Sequence, residues 1–226
     1  MRLFLTAGLE VLRTANADPS ITHIVTVLVR NALPANDRRH KDFGVYPAEL
    51  VKGHDACVWA LGRSTSGTTE VEYTTITYDY PVAAFNAFVA NLEPNQPFRF
   101  VYFSSDGADP SGKSSLLFAR VKRRAETDLL AVSDAAGSAV HAQMLRPGYF
   151  SPSDAQDRKR TRSRGSRVLD SVMAPLLRSA PKYIVPIHDL ARVALGLANG
   201  SLRDEEVLSN TEIRQAANKI PGHDKL

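Results

Sequence analysis

The sequence predicts an α/β protein, a single domain on a doubly wound parallel sheet with a shortened turn between its first strand and first helix. Three observations carry this. Short apolar runs rich in β-branched residues alternate with longer segments of helical spacing, the order that right-handed crossovers between parallel strands produce. A chain of 226 residues, 43% of them apolar, encloses one sizeable core rather than two, so residues 1–226 read as one unit. The first strand-like run also passes almost directly from Thr6 into a helical pattern at Leu9.

Taken in order, Leu3–Thr6 is a short strand, and Leu9–Ala15 has helical spacing in Leu9, Val11 and Leu12. Ile21–Arg30 is dense in β-branched residues without strict alternation, which suits a strand covered on both faces. Ala56–Leu61 and Phe98–Phe103 share that texture. Helical segments lie between and after them at Pro47–Lys52, Val71–Asn91 and Ser115–Val132, each ending near Gly, Asn or Pro. A further strand at Ala139–Leu145 runs into the turn Arg146-Pro147-Gly148. Ser151–Arg167, poor in apolar residues, reads as an exposed and mobile basic loop, followed by a helix at Val168–Arg178. Tyr183–Pro186 and His188–Ala198 form a last strand-then-helix unit.

Composition narrows the functional classes. No segment approaches the roughly 18 uninterrupted apolar residues of a membrane helix, and the opening residues include Glu10 and Arg13 where a signal peptide stays apolar, so a cytoplasmic protein is expected. The single cysteine, Cys57, lies in the apolar run ACVWAL and reads as a packing residue, with no disulfide framework to join. The six histidines have no spacing that suits a metal. Much of the net charge of +4 comes from Arg158, Lys159, Arg160, Arg162, Arg164 and Arg167, with no aromatic residues interleaved, so nucleic-acid binding ranks last.

Ligands of doubly wound sheets bind beyond the carboxyl ends of the strands. There the sequence places Val101-Tyr-Phe-Ser-Ser-Asp-Gly-Ala-Asp109, with the hydroxyls of Ser104 and Ser105 at the active edge. Phe118 and Lys122 follow, four apart, so on a helix they share a face that can look toward those serines. Ser-Ser-Asp-Gly is also ordinary turn chemistry, and Lys122 belongs to a basic run that would suit a solvated helix face.

The arrangement resembles the Ser, Tyr-x-x-x-Lys constellation of short-chain dehydrogenases. More narrowly, the chain resembles the Tat-interacting-protein-like branch of the atypical members. The residues that carry this are Asp42-Phe43, Gly53-His54-Asp55, Leu61-Gly62, Asp79-Tyr80, Ser104-Ser105-x-Gly107-Ala108-Asp109, Val121-Lys122 and Arg146-Pro147-Gly148, in order from about residue 20 to about residue 200. The resemblance implies a Rossmann-type sheet and NADP or NAD as cofactor. It implies that Asp42 and Phe43 flank the adenine, that Leu61 and Gly62 run beneath the cofactor, and that Pro147 and Gly148 border the nicotinamide. Ser104 would orient a substrate carbonyl and Lys122 would hold the ribose. Arg30, after the second strand, stands where a 2′-phosphate is often gripped, though it could equally be a surface residue.

Two departures accompany the resemblance. Phe118 replaces the tyrosine that donates the proton. Thr6-Ala7-Gly8-Leu9 stands where a glycine-rich loop is expected, so Gly8 alone remains of the pyrophosphate cradle, and Glu10 would repel an anion there. A substitute proton donor could come from Tyr73, Tyr78, Tyr80 or Tyr149. The expected function is an oxidoreductase or isomerase acting on a small organic metabolite, with specialised metabolism as the family-level setting and a monomer or homodimer as the assembly. The alternative is a catalytically inactive Rossmann-fold protein that serves as a binding or regulatory partner.

Overall fold

The structure is a computed structural model that describes residues 1–27, 43–108, 111, 114–150, 183–202 and 205–220. The expected helix Val168–Arg178, the basic loop at 151–167, Arg30 and Asp42 lie outside the described residues.

Six strands form one parallel sheet: β1 (Arg2–Thr6), β2 (His23–Val27), β3 (Ala56–Trp59), β4 (Phe98–Phe103), β5 (Val140–Leu145) and β6 (Val207–Leu208). Their order is β2-β1-β3-β4-β5-β6. The chain steps from β1 to one neighbour, β2, and then crosses to the other side for β3, so the winding reverses between β1 and β3. A crevice at that reversal is where such sheets receive ligands. The helices among the described residues are α1 (Leu9–Ala17), α2 (Ala48–Val51), α3 (Glu70–Thr74), α4 (Tyr80–Ala90), α5 (Leu117–Ala136), α6 (Ile187–Ala198) and α7 (Asn210–Lys219). None of them is long and apolar enough to cross a membrane.

Alternation along the strands divides the core. Leu3, Leu5, Ala56, Val58, Val101 and Leu145 face α1, α6 and α7, where Leu190, Val193, Leu197 and Ile213 close the layer. Phe4, Cys57, Trp59, Phe98, Phe100 and Tyr102 face α4 and α5 and pack on Phe85, Phe88 and Leu129. Both faces are buried, which is why these strands read as continuous apolar runs rather than as alternating ones. Cys57 is a buried packing residue, and burial pushes its thiol well up.

The expected single helix Val71–Asn91 begins with a capping box in which Thr69 and Glu72 satisfy each other's backbone donors, and it changes pitch at a π-helical turn, Thr75–Asp79. Pro81 explains the interruption. It has no N–H to give to the carbonyl four residues back, Thr77, and the Tyr102 hydroxyl donates to that carbonyl instead, at 2.9 Å. In place of the expected strand Tyr183–Pro186 there is a single parallel bridge between Tyr149 and Ile184, because the chain turns at once into α6. β6 and α7 were not anticipated. The Ser209-Asn-Thr-Glu212 capping box that opens α7 was legible as an N-terminal signature.

Candidate functional site

The carboxyl ends of β4 and β5 are held together past the strands. Ser104 N–H donates to Leu145 O at 2.7 Å and Asp106 N–H to Pro147 O at 3.0 Å, so the serine turn and the Arg146-Pro147-Gly148 turn form one edge. Gly148 N–H donates to Asn210 Oδ1 at 2.7 Å. A Cβ at Gly148 would lie 2.4 Å from the Tyr183 backbone oxygen, so this approach of two chain segments requires glycine.

The first turns of α5 face this edge. Phe118 lies against the serine turn, since a Cβ at Gly107 would come within 2.9 Å of its ring. One helical turn on, Lys122 Nζ donates to Ser104 O at 2.7 Å and to Phe103 O at 3.3 Å. Burial of the ammonium lowers the Lys122 pKa to about 8, against the opposing pull of Glu126. Two of the three ammonium donors are thus used on carbonyls and one remains. Ser104 and Ser105 carry buried hydroxyls that have no hydrogen-bond partner. The structure therefore brings Ser104, Phe118 and Lys122 together as the sequence spacing suggested.

Glu126, a further turn along the same face, is a site residue that the sequence reading missed. It is fully buried, accepts from Arg146 Nε at 2.8 Å and from Arg146 Nη2, and accepts from Arg123 Nη1 at 3.2 Å. Its hydrogen bonds hold the Arg146 guanidinium above its usual range. The signal was present: Phe118, Lys122 and Glu126 recur every four residues along one helix face. The pair anchors the Pro147–Gly148 turn to α5.

The other half of the crevice is built differently. Between β1 and α1 stand only Ala7 and Gly8, both left-handed, with φ of 55° and 79°. Ala60 N–H donates to Thr6 O at 3.1 Å and Leu61 N–H to Thr6 Oγ1 at 3.3 Å, which ties the turn to the exit of β3. A Cβ on Gly8 would lie 3.1 Å from Ala60 Cβ. Leu61 is partly buried and Gly62 exposed, and a Cβ at Gly62 would meet nothing within 4 Å. Phe43 is buried with its ring 5.4 Å from that of Tyr80. Gly53-His54-Asp55 lies at the opposite end of the sheet, where the Asp55 carboxylate accepts from Arg2 N–H at 2.7 Å, so this part of the resemblance is structural. Tyr73 is buried, and Tyr78 directs its hydroxyl to Asp128, with Arg124 3.9 Å over its ring.

The sequence resemblance implies a nicotinamide dinucleotide, and the residues would fit its two ends unequally. The unpartnered Ser104 and Ser105 hydroxyls and the spare Lys122 donor suit the ribose and nicotinamide end and a substrate oxygen beside it. The pinned turn at Ala7–Gly8 does not fit the pyrophosphate, because no glycine loop stands clear of β3 to receive it.

No protein-family model matches the chain, and no curated protein matches it in sequence. Solved structures do match in fold. MoeE5 in complex with UDP-glucuronic acid and NAD superposes with a TM-score of 0.63 at 16% identity, covering 92% of this chain and 74% of that one. UDP-N-acetylglucosamine 4-epimerase from Bacillus cereus gives 0.58 at 14%, over 96% of this chain and 82% of that one. A small-chain dehydrogenase in complex with NADPH gives 0.61 at 11%, over 95% and 99%. With the parallel sheet and its β1/β3 reversal, these likenesses show that the chain has a Rossmann-type fold, which those solved structures share.

Proposed function

We propose that this protein is a short-chain-dehydrogenase-like oxidoreductase or isomerase that handles a small organic metabolite at the carboxyl edge of β4 and β5. The observation that carries this reading is the buried, unpartnered pair of serine hydroxyls above a lysine ammonium fixed to the Ser104 carbonyl. A buried hydroxyl without a partner costs about 1–3 kcal/mol, which a ligand oxygen accepting from Ser104 Oγ would recover. Ser104 orients the substrate oxygen, Lys122 holds the cofactor ribose, and Pro147 and Gly148 border the ring. A bound nicotinamide, from NAD or NADP, supplies or accepts the hydride. Phe118 has no proton to give, and burial lowers the Lys122 pKa to about 8, so its ammonium can release a proton near neutral pH.

The test is reduction of a panel of aldehydes, ketones and quinones by NADPH, NADH and reduced nicotinamide mononucleotide, with wild-type protein and Phe118→Tyr. A positioned proton donor contributes about 10²-fold or more. Phe118→Tyr should raise kcat/KM by that order, and Lys122→Met should abolish the gain. Absence of turnover by both proteins with all three reductants would overturn the reading.

A further inference from the structure

The two halves of the crevice disagree about what they can hold. On the β4–β5 side, polar groups are poised and unpartnered. On the β1 side, the turn is held against β3 and a carboxylate stands in the first turn of α1. Thr6 clips the turn to β3 through its carbonyl and its hydroxyl, and the Gly8 backbone lies against Ala60. Ala7 holds a left-handed conformation without being glycine, so the turn is already strained and has no slack with which to move away from β3.

The helix end itself carries a negative charge in its first turn. The first intrahelical bond of α1 runs from Leu12 N–H to Gly8 O, which leaves the earlier amides pointing outward, the usual place for a phosphate. Here Glu10 lies in that first turn, ion-paired with Arg13 at 3.3 Å, and supplies the negative charge that the helix dipole favours. No side chain caps the outward amides, and the nearby Glu10 carboxylate disfavours an incoming pyrophosphate through its charge.

We infer that this chain takes the nicotinamide riboside portion of its cofactor without gripping a pyrophosphate at the β1–α1 turn, so that a nicotinamide mononucleotide is as good a ligand as a dinucleotide. The inference rests on the reading that the β4–β5 edge holds a nicotinamide. A charge-assisted backbone hydrogen bond is worth about tenfold in affinity or more, so a cradle that made two or three would separate the two ligands by about a hundredfold. Without it their affinities converge.

The experiment is a calorimetric and fluorescence titration of the full chain with reduced nicotinamide mononucleotide, NADPH, NADH and ADP-ribose. The expected result is dissociation constants for the mononucleotide and the dinucleotides within about fivefold of one another, with ADP-ribose failing to displace the mononucleotide. A dinucleotide preference of about a hundredfold, or displacement by ADP-ribose, overturns the inference and leaves the oxidoreductase reading standing. No binding of any reduced nicotinamide overturns both. A second protein carries a glycine-rich insertion between Gly8 and Leu9. It should gain affinity for NADPH by about tenfold or more and less for the mononucleotide, which carries one of the two phosphates, and equal gains for both would also overturn the inference. Should that variant not fold, the wild-type ratio decides alone.

Discussion

Replacing Glu126 by Gln removes one charge at constant shape from the most buried ion pair of the site. The Glu126 side chain is 0% exposed, Arg146 is 18% exposed and Arg123 31%. The Arg146 guanidinium, which now meets both carboxylate oxygens, would keep its charge and face a neutral amide that can accept on one side only. Breaking a buried pair by removing one partner costs about 3–5 kcal/mol. Water that still reaches Arg146 and Arg123 places this case near the lower bound, about 3 kcal/mol. For a chain of this length each kcal/mol moves the midpoint by about 2–4 °C, so Tm should fall by about 6–12 °C. Urea unfolding followed by far-UV circular dichroism measures the loss directly, with the slope m unchanged. The double variant Glu126→Met with Arg146→Met should recover much of it, because the buried Arg146 charge goes with its partner and Arg123, 31% exposed, can turn to water. A loss below about 1 kcal/mol for Glu126→Gln would show that the pair is hydrated and would refute the argument.

Lys122 should give stability a characteristic pH dependence. Its folded pKa, about 8, lies below the usual 10.5, so between these values the unfolded chain holds a proton that the folded one has released. Below pH 8 the full cost of burying the charge opposes folding, and wild type should gain stability relative to Lys122→Met as pH rises from 8 toward 10. Parallel urea titrations of the two proteins check this, and a flat or falling difference would contradict it. Gly148→Ala places a methyl 2.4 Å from the Tyr183 carbonyl oxygen and should destabilise by about 1–3 kcal/mol, read as a lowered urea midpoint. If the methyl is accommodated without loss, the two segments do not approach as closely as described.

Much of the architecture was legible because both sheet faces are covered. Leu3–Leu5, Ala56–Trp59 and Phe100–Tyr102 are apolar on both sides, and such runs, bounded by helical spacing, identify a parallel α/β sheet without any coordinates. The Phe118–Lys122 spacing was equally local, since residues four apart on a helix must share a face. By contrast, β6 is two residues long and is a strand only because Met144 and Leu145 lie beside it, so no pattern in Val207–Leu208 could announce it. The π turn at Thr75–Asp79 was half legible. Pro81 signals a lost hydrogen bond, but the hydroxyl that fills the gap belongs to Tyr102, on a strand that comes later in the chain.

The sequence by itself determined the fold class, the absence of a glycine-rich loop and the phenylalanine at position 118, because each is a matter of which residues stand at which spacing. Tertiary structure decided what those facts mean for the site. Only packing shows that the short turn is tied to β3 through Thr6, that Ser104 and Ser105 keep their hydroxyls buried and free, and that Glu126 spends its charge on Arg146. Hydrogen-bond satisfaction and desolvation depend on atoms brought together from distant parts of the chain, and no local pattern encodes them.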